Sequence, residues 1–207
     1  MAAPLPPTPV GLKIAQAVSP SVVVDMFHDV CCPFSKKMYD TIYEQVIPAL
    51  AQRQLTGQVE FLWQSVPQPW HAQSCLMHDA VMAAALLDEG KVAAYIHGIF
   101  ARQTDFFDDT TKDLSRVQIY AKLAAIGGDC GYDAAALSNL LSLDGVQSNG
   151  GLGAVTQHLK WAVKFHRTRG VHVTPTVFIN GTEAGDVSSG WDVEAWMDKL
   201  TPMLGEG

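Results

Sequence analysis

The segment Cys32-Pro33-Phe34-Ser35 carries the side chains with the clearest chemical potential in the sequence. It follows an apolar, strand-like run over residues 22–27 and opens a stretch with helical spacing, which places Cys32 at a helix N-terminus. The unpaired N–H groups and the positive dipole end at that position favour a thiolate over a thiol. The pattern therefore predicts a nucleophilic Cys32 and thiol or redox chemistry.

Ser35 stands where a second cysteine would be needed for an internal dithiol cycle. Its hydroxyl can donate a hydrogen bond to the Cys32 thiolate, but it cannot attack a disulfide, so a dithiol cycle between these two positions is excluded. A mixed disulfide at Cys32 could be released by Cys31, by Cys75 or Cys130, or by an external thiol such as glutathione. Adjacent cysteines form a strained ring, so Cys31 is a poor candidate, and we favour the external thiol.

A few other residues are of types that can bind a metal ion, but their spacing does not predict a metal site. His71, Cys75 and His78 are closely spaced, but a metal site needs three or four converging ligands and no CxxC pair accompanies them. We therefore predict no metal. Cys31 and Cys130 are interpreted as buried structural residues.

Periodicity and turn residues predict strands that alternate with helices. Pro48 should end or bend the first helix, and Asp113 and Asp133 are N-cap candidates in a later helical block. Asn180-Gly181 indicates a tight hairpin turn. The predicted segments are strands at 22–27, 59–66 and 173–180, and helices at 33–50, within 74–150, at 154–169 and at 191–204.

Composition narrows the classes of partner. The 207 residues are 48% hydrophobic, which supports a sizeable core, and carry a net charge of −7 with only 14 lysines and arginines. Without a basic block, nucleic acid is not an expected partner. No apolar run approaches the roughly 20 residues of a membrane helix, so no membrane association is expected.

The N-terminal composition and the cysteine count suggest a compartment. Residues 1–18 are predicted to be a flexible leader, and residues 1–11 lack the basic and apolar regions of a secretory signal. The four cysteines are too few and too unevenly spaced for a disulfide framework, which favours a reducing environment. We therefore expect a cytoplasmic protein. For its oligomeric state, we expect either a monomer or a homodimer.

The segment at 32–35 and the downstream run Val173-Thr174-Pro175-Thr176-Val177 together resemble the thioredoxin-fold superfamily, and within it the DsbA-like branch. The resemblance implies an α/β thioredoxin fold interrupted by an inserted helical domain. The thioredoxin halves would then occupy 19–73 and 151–207, and the insertion 74–150.

The same resemblance implies roles for residues around Cys32. The Thr174-Pro175 bond would be cis, and its loop would face the nucleophile across a substrate groove. Thr174 and Pro175 would hold the substrate backbone and keep metal away from the thiolate, and Pro33 and Phe34 would also contact the substrate.

Two further residues are candidates for auxiliary roles. Asp25 resembles the buried acid that tunes proton transfer in thioredoxins, although its spacing to Cys32 is one residue longer. His28 could donate a proton or a hydrogen bond to the thiolate from the same loop. A purely structural, hydrogen-bonded histidine is an equal alternative for His28.

The residues at 25–35 also look like the entry of kappa-class glutathione transferases and 2-hydroxychromene-2-carboxylate isomerases. Those enzymes have a serine where this chain has Cys32, and that serine is matched to the thiol of bound glutathione. The cysteine here favours covalent thiol exchange over glutathione activation. The Thr174-Pro175-Thr176 triplet is more similar to that of DsbA-like oxidoreductases.

These patterns predict a thiol-disulfide oxidoreductase of the reductase or isomerase type that acts on protein or glutathione mixed disulfides. No cofactor is required, and glutathione can serve as a co-substrate. Two alternatives remain open: a glutathione-dependent transferase or isomerase, and a redox-silent module that binds a peptide in the groove.

Overall fold

Five strands form one mixed sheet in the computed structural model, which describes residues 4–204. The strands are β1 (Leu12–Ala15), β2 (Val22–His28), β3 (Val59–Ser65), β4 (Thr176–Ile179) and β5 (Thr182–Glu183). Their order across the sheet is β1-β3-β2-β4-β5. The central pair β2 and β3 is parallel, and the other neighbouring pairs are antiparallel. This is the mixed α/β architecture that the sequence predicts.

The N-terminal segment is not the flexible leader that was expected over 1–18. β1 lies inside that interval and pairs with β3, with Leu12 opposite Trp63. The expectation was wrong because a four-residue edge strand is held through its backbone and needs little hydrophobic signal of its own. Residues 1–3 of the expected leader, and 205–207 of the expected C-terminal half, lie outside the described residues.

An uninterrupted helical segment connects β2 to β3. It consists of α1 (Pro33–Thr41), a π-helical turn (Ile42–Val46) and α2 (Ile47–Gln52). The segment does not end at Pro48, because α2 continues to Gln52. Proline lacks an N–H and crowds the carbonyl four residues earlier, and the wider π turn changes the hydrogen bonding where that conflict would arise.

Among the described residues, the remaining α-helices either fill the block that was predicted as an insertion or follow it. They are α3 (Ser74–Asp88), α4 (Val92–Ala101), α5 (Asp108–Thr111), α6 (Arg116–Asp129), α7 (Ala134–Leu140), α8 (Ala154–Thr168) and α9 (Val193–Leu200). Within residues 4–204, no helix is long and apolar enough to cross a membrane.

The N-caps of α6 and α7 differ in how well the sequence predicted them. Asp133 caps α7 as expected, since its carboxylate accepts from the N–H groups of Ala135 and Ala136. Asp113 does not cap α6. Ser115 caps α6 instead, in a reciprocal capping box with Gln118. The capping box satisfies two backbone N–H groups at the helix start, whereas a single capping side chain satisfies one.

The central strand β2 is buried on both faces, which explains its apolar sequence. Val24 and Met26 face a cluster that includes Ile42 and Trp196. Phe27 points to the opposite face and packs against the Phe178 ring, with 5.1 Å between centroids. Successive side chains of a strand point to opposite faces, so an unbroken apolar run is needed when helices cover both faces.

His28, the last residue of β2, is part of this core. It is fully buried, and its ring stacks on Trp63 at 5.1 Å and meets Tyr39 edge-on at 6.3 Å. Neither ring nitrogen has a hydrogen-bond partner among the described residues. Burial lowers the pKa of His28 to about 3, although the Asp29 carboxylate acts in the opposite direction. The imidazole is therefore held neutral at physiological pH.

We expect His28→Phe to make the folded protein less sensitive to mild acid. Below about pH 6.5 the unfolded chain binds a proton at His28 that the folded chain excludes. The free energy of unfolding then falls by about 1.4 kcal/mol for each pH unit until the pH approaches the folded value. Phenylalanine keeps the ring contacts and removes this term.

Urea denaturation at about pH 7 and about pH 5 would measure the effect. His172→Asn is the matched control, because His172 is exposed. If His28→Phe lost as much stability between the two pH values as the wild-type protein, the proposed acid sensitivity of His28 would be rejected.

Candidate active site

Cys32 lies at the point where the chain leaves β2 and enters α1. It is the N-cap residue of α1, with Pro33 in the first helical turn. Its backbone N–H donates to the Asp29 carbonyl at 3.0 Å, and its own carbonyl accepts from Lys36 N at 3.1 Å. The residue is only 5% exposed. The thiol is thus held in a tight loop beside the free N–H groups at the start of α1.

The Thr174-Pro175 bond is cis, as the resemblance implies, and its loop lies against Cys32. Cys32 Sγ is 3.5 Å from the Thr174 carbonyl oxygen. The strand that follows closes on Asn180 and Gly181, both of which have positive φ (49° and 81°), as a tight two-residue hairpin turn requires. The two sequence motifs therefore meet at one place in the fold.

Ser35 is fully buried and bonds to the backbone of the same loop. Its Oγ accepts a hydrogen bond from Asp29 N at 3.2 Å. The sequence suggested that this hydroxyl could donate to the Cys32 thiolate. Among the hydrogen bonds of the described residues, however, it acts as an acceptor that closes the loop around Cys32.

Asp29 is the main residue of the site that sequence reasoning missed. Its side chain is fully buried, although it lies only two residues before Cys31. A buried carboxylate is stable only when donors surround it. Donors from the cysteine loop and from residues 68–74 reach its two oxygens: Cys31 N at 2.9 Å, Ser74 Oγ at 2.7 Å, Gln68 N at 3.2 Å and His71 Nδ1 at 2.6 Å.

The histidines beside Asp29 keep it ionised. His78 is fully buried, and its Nε2 lies 3.4 Å from Asp29 Oδ1. Burial acts to raise the pKa of Asp29, but His78, His71 and the Cys31 N–H outweigh burial and lower that pKa to about 2. His71 and His78 thus meet at a carboxylate, while Cys75 is exposed.

Two glutamines connect the loop around Cys32 to other elements. Gln103 Nε2, from the turn after α4, donates to the carbonyls of Val30 (2.9 Å) and Cys32 (3.1 Å). Gln68 Nε2 donates to the His172 carbonyl at 3.2 Å, just before the cis-proline loop. The helical block and the proline loop are therefore both anchored to the segment around Cys32.

The other cysteines are poorly suited to act as nucleophiles. Cys31 is buried, and burial together with the Asp29 charge raises its pKa to about 12. Burial also raises the pKa values of Cys75 and Cys130. All four cysteines are free thiols.

Asp25 and His28, the auxiliary candidates on β2, contact residues other than Cys32. Asp25 accepts a hydrogen bond from Gln64 Nε2 at 2.7 Å, on β3. His28 packs in the aromatic core described above. In the part of the chain that the structure describes, neither residue forms a hydrogen bond with Cys32 or Ser35.

Exposed apolar side chains flank Cys32 and the proline loop. Phe34 is 63% exposed and lies two residues after Cys32. Val173 is 52% exposed and lies two residues before Pro175. Trp70 is 62% exposed and lies edge-on to His71, with ring centroids 6.2 Å apart. Such apolar surface next to a reactive group is suited to binding an extended peptide.

One cluster of potential metal ligands lies elsewhere. Atoms of Asp40, Glu44 and His97 are within 4.8 Å of one another. The two ring nitrogens of His97 face different carboxylates, at 3.7 Å (Asp40) and 3.4 Å (Glu44), and Lys36 also pairs with Asp40. These contacts link α1 and the π-helical turn after it to α4.

We expect Asp29→Asn to destabilise the folded protein by about 2 kcal/mol at neutral pH. The variant keeps the shape of the side chain but lacks the charge that the surrounding donors stabilise. Because the folded pKa lies below the usual value of 3.8, this stabilisation is present above about pH 4 and is lost as the pH falls to about 2.

Urea denaturation at pH 7 and at about pH 2.5 would test this expectation. The difference between variant and wild type should shrink at the lower pH. Asp144→Asn serves as the control, since Asp144 is exposed. Equal stability of Asp29→Asn and the wild-type protein at pH 7 would show that the Asp29 network does not stabilise the site.

The chain is similar to a known protein family and to solved structures. A family model described as thioredoxin matches residues 17–199. No curated protein matches significantly. A structure described as a candidate protein-disulfide isomerase from Pseudomonas syringae aligns with a TM-score of 0.73 at 23% identity, and covers 92% of this chain and 97% of that one.

Two further solved structures show the same fold. BdbD from Bacillus subtilis, in its oxidised form, has a TM-score of 0.67 at 16% identity and covers 94% of this chain and 96% of its own. The thiol-disulfide exchange protein alpha-DsbA2 from Wolbachia pipientis has a TM-score of 0.65 at 18% identity, with coverages of 94% and 87%. The chain therefore belongs to the thioredoxin family, and its fold is that of the DsbA-like branch.

Proposed function

We propose that this protein is a thiol-disulfide oxidoreductase of the reductase or isomerase type, with Cys32 as its one nucleophile. The observation that carries the proposal is the position of Cys32 Sγ, at the start of α1 and 3.5 Å from the Thr174 carbonyl of the cis-proline loop. A helix N-terminus favours the thiolate, which is the attacking species. The names of the structural neighbours are consistent with this activity.

The reaction consists of two exchanges at Cys32 and a third between external thiols and the substrate. The Cys32 thiolate attacks one sulfur of a substrate disulfide, forms a mixed disulfide with it and releases the other sulfur as a thiolate. An external thiolate then attacks the mixed disulfide and releases Cys32 as a thiolate, while the new disulfide joins the external thiol to the substrate. A second external thiol completes the reduction.

Protein disulfides are the proposed substrates, and glutathione is the proposed external thiol. The exposed Phe34, Val173 and Trp70 support contact with a peptide chain. Ser35 supports release by an external thiol, because a hydroxyl at this position cannot complete an internal disulfide. A reducing, cytoplasmic location remains part of the proposal, and it matches a single-cysteine reductase better than a net oxidant.

We expect iodoacetamide to label Cys32 at least about ten times faster than any other cysteine at neutral pH. The raised pKa values of Cys31, Cys75 and Cys130 keep those thiols protonated. Exposure alone would predict the reverse order, because Cys75 is exposed and Cys32 is buried. Mass spectrometry of quenched samples gives the rate at each site.

Cys32→Ser should remove the fast labelling and the reduction of mixed disulfides. Slow labelling at every cysteine would contradict the proposal and favour a redox-silent peptide-binding module. If turnover of a small electrophile with glutathione survived Cys32→Ser, the transferase or isomerase alternative would replace the proposal.

We expect Ser35→Cys to make release of a mixed disulfide intramolecular. In a Cys75→Ser, Cys130→Ser background, dithiobis-nitrobenzoate should leave a stable adduct on Cys32 and release one thionitrobenzoate per chain. With Ser35→Cys, the introduced thiol should attack that adduct and release a second one. Absorbance of the released anion gives the stoichiometry, and Ser35→Ala should release one. A single release from Ser35→Cys would show that position 35 cannot reach the Cys32 sulfur.

A further inference from the structure

A cavity of about 410 Å³ opens beside the loop that carries Cys32. One wall is formed by Cys31 and Pro33, the residues directly before and after the nucleophile. Two other chain segments complete the lining: His71 and Gln73 before α3, and Phe107, Asp108 and Asp109 at the start of α5. A group bound in this cavity would therefore lie next to a disulfide under attack by Cys32. We call this cavity the acidic pocket.

Gln73 gives the acidic pocket an unused hydrogen-bond acceptor. The residue is 8% exposed, and its Nε2 donates to Thr111 Oγ1. Its Oε1 is buried and has no hydrogen-bond partner among the described residues. A buried carbonyl oxygen without a donor is costly, and a bound N–H donor would satisfy it.

The charged and aromatic groups of the pocket favour the same kind of ligand. Asp108 and Asp109 are exposed carboxylates, and within residues 4–204 no lysine, arginine or histidine nitrogen lies within 4 Å of them. The Asp108 charge also contributes to the raised pKa of Cys31, after burial and Asp29, so its field reaches that residue of the pocket wall. Phe107 adds an aromatic surface, against which the apolar stem or the charge of a basic side chain can pack.

We propose that the acidic pocket binds a lysine or arginine side chain next to the disulfide of a protein substrate. This inference rests on the proposed function, and it names the substrate class. Carboxylates, a carbonyl acceptor and an aromatic ring complement a cation rich in donors. Glutathione carries two carboxylates and would be repelled at the same position. Peptide disulfides with basic flanks are therefore attacked faster than acidic peptide disulfides or glutathione disulfide.

The test measures the first exchange alone. Symmetric disulfides of the peptides acetyl-Lys-Cys-Lys-amide, acetyl-Gln-Cys-Gln-amide and acetyl-Glu-Cys-Glu-amide are mixed with reduced protein. In each reaction the Cys32 thiolate forms one protein–peptide disulfide and releases one peptide thiolate, which balances sulfur and electrons. Acid quenching and mass spectrometry give the rate. Each rate is divided by that of the same disulfide with N-acetylcysteine, which corrects for intrinsic reactivity.

We expect the corrected rate for the lysine peptide to exceed that for the glutamate peptide about ten-fold at low salt, with the glutamine peptide between them. Asp108→Asn with Asp109→Asn should reduce this ratio to about two-fold. The control is Asp144→Asn with Asp198→Asn, which removes the same charge from exposed positions outside the pocket and should leave the ratio unchanged.

The outcomes separate this inference from the proposed function. Equal corrected rates for all three peptides, or an equal fall of the ratio in both double variants, would overturn the acidic pocket while leaving Cys32 as a nucleophile. If no peptide formed a disulfide with Cys32, the proposed function and the pocket would both be rejected.

Discussion

The fully buried carboxylate of Asp29 is the constraint on which the arrangement of the site depends. A carboxylate without access to water must be surrounded by hydrogen-bond donors. Without them it would become protonated or would stay at the surface. Here the donors come from the cysteine loop (Cys31 N), from the segment after β3 (Gln68 N and His71) and from α3 (Ser74). Because residues 68–74 are 39 or more residues away from Asp29 in sequence, satisfying one carboxylate fixes the position of that stretch relative to the Cys32 loop.

Further contacts extend this arrangement to the rest of the site. Gln68 binds Asp29 through its backbone and the His172 carbonyl through its side chain, so the carboxylate network continues to the segment before the cis-proline loop. Gln103 binds the carbonyls on either side of Cys31 from the helical block. The thiol of Cys32 therefore meets the Thr174 carbonyl in a loop that is held from several directions.

The sequence predicted features whose cause is local. Three such features are the apolar run before Cys32, the proline after it and the Asn180-Gly181 turn. They could be predicted because a strand that is buried on both faces, a helix start and a turn with positive φ each need particular residue types nearby. Other features depend on distant partners. Asp29 is a single acidic residue until Ser74 and His71 are brought to it, and no spacing along the chain signals that contact.

Departures from the expected structure have the same origin. The expected leader forms β1 because β3 offers it an unpaired edge, and the helix passes Pro48 without ending because a π turn precedes that residue. His28 was considered as a proton or hydrogen-bond donor because it was expected on the same loop as Cys32, with a structural role as an equal alternative. As the last residue of β2 it instead points into the aromatic core between Trp63 and Tyr39.

Ser35 connects the structure of the loop to the kind of partner it needs. Its hydroxyl accepts the Asp29 N–H, so the position that could hold a second thiol instead stabilises the loop. A thiol is a weaker hydrogen-bond acceptor than a hydroxyl, so serine stabilises this loop better than cysteine would. The same serine removes the internal route by which a mixed disulfide on Cys32 could be released. In the proposed reaction, a mixed disulfide on Cys32 persists until an outside thiol arrives, and its lifetime lets the surfaces around it select the partner. Selectivity would then depend on the residues beside Cys32, which include the acidic pocket next to Pro33.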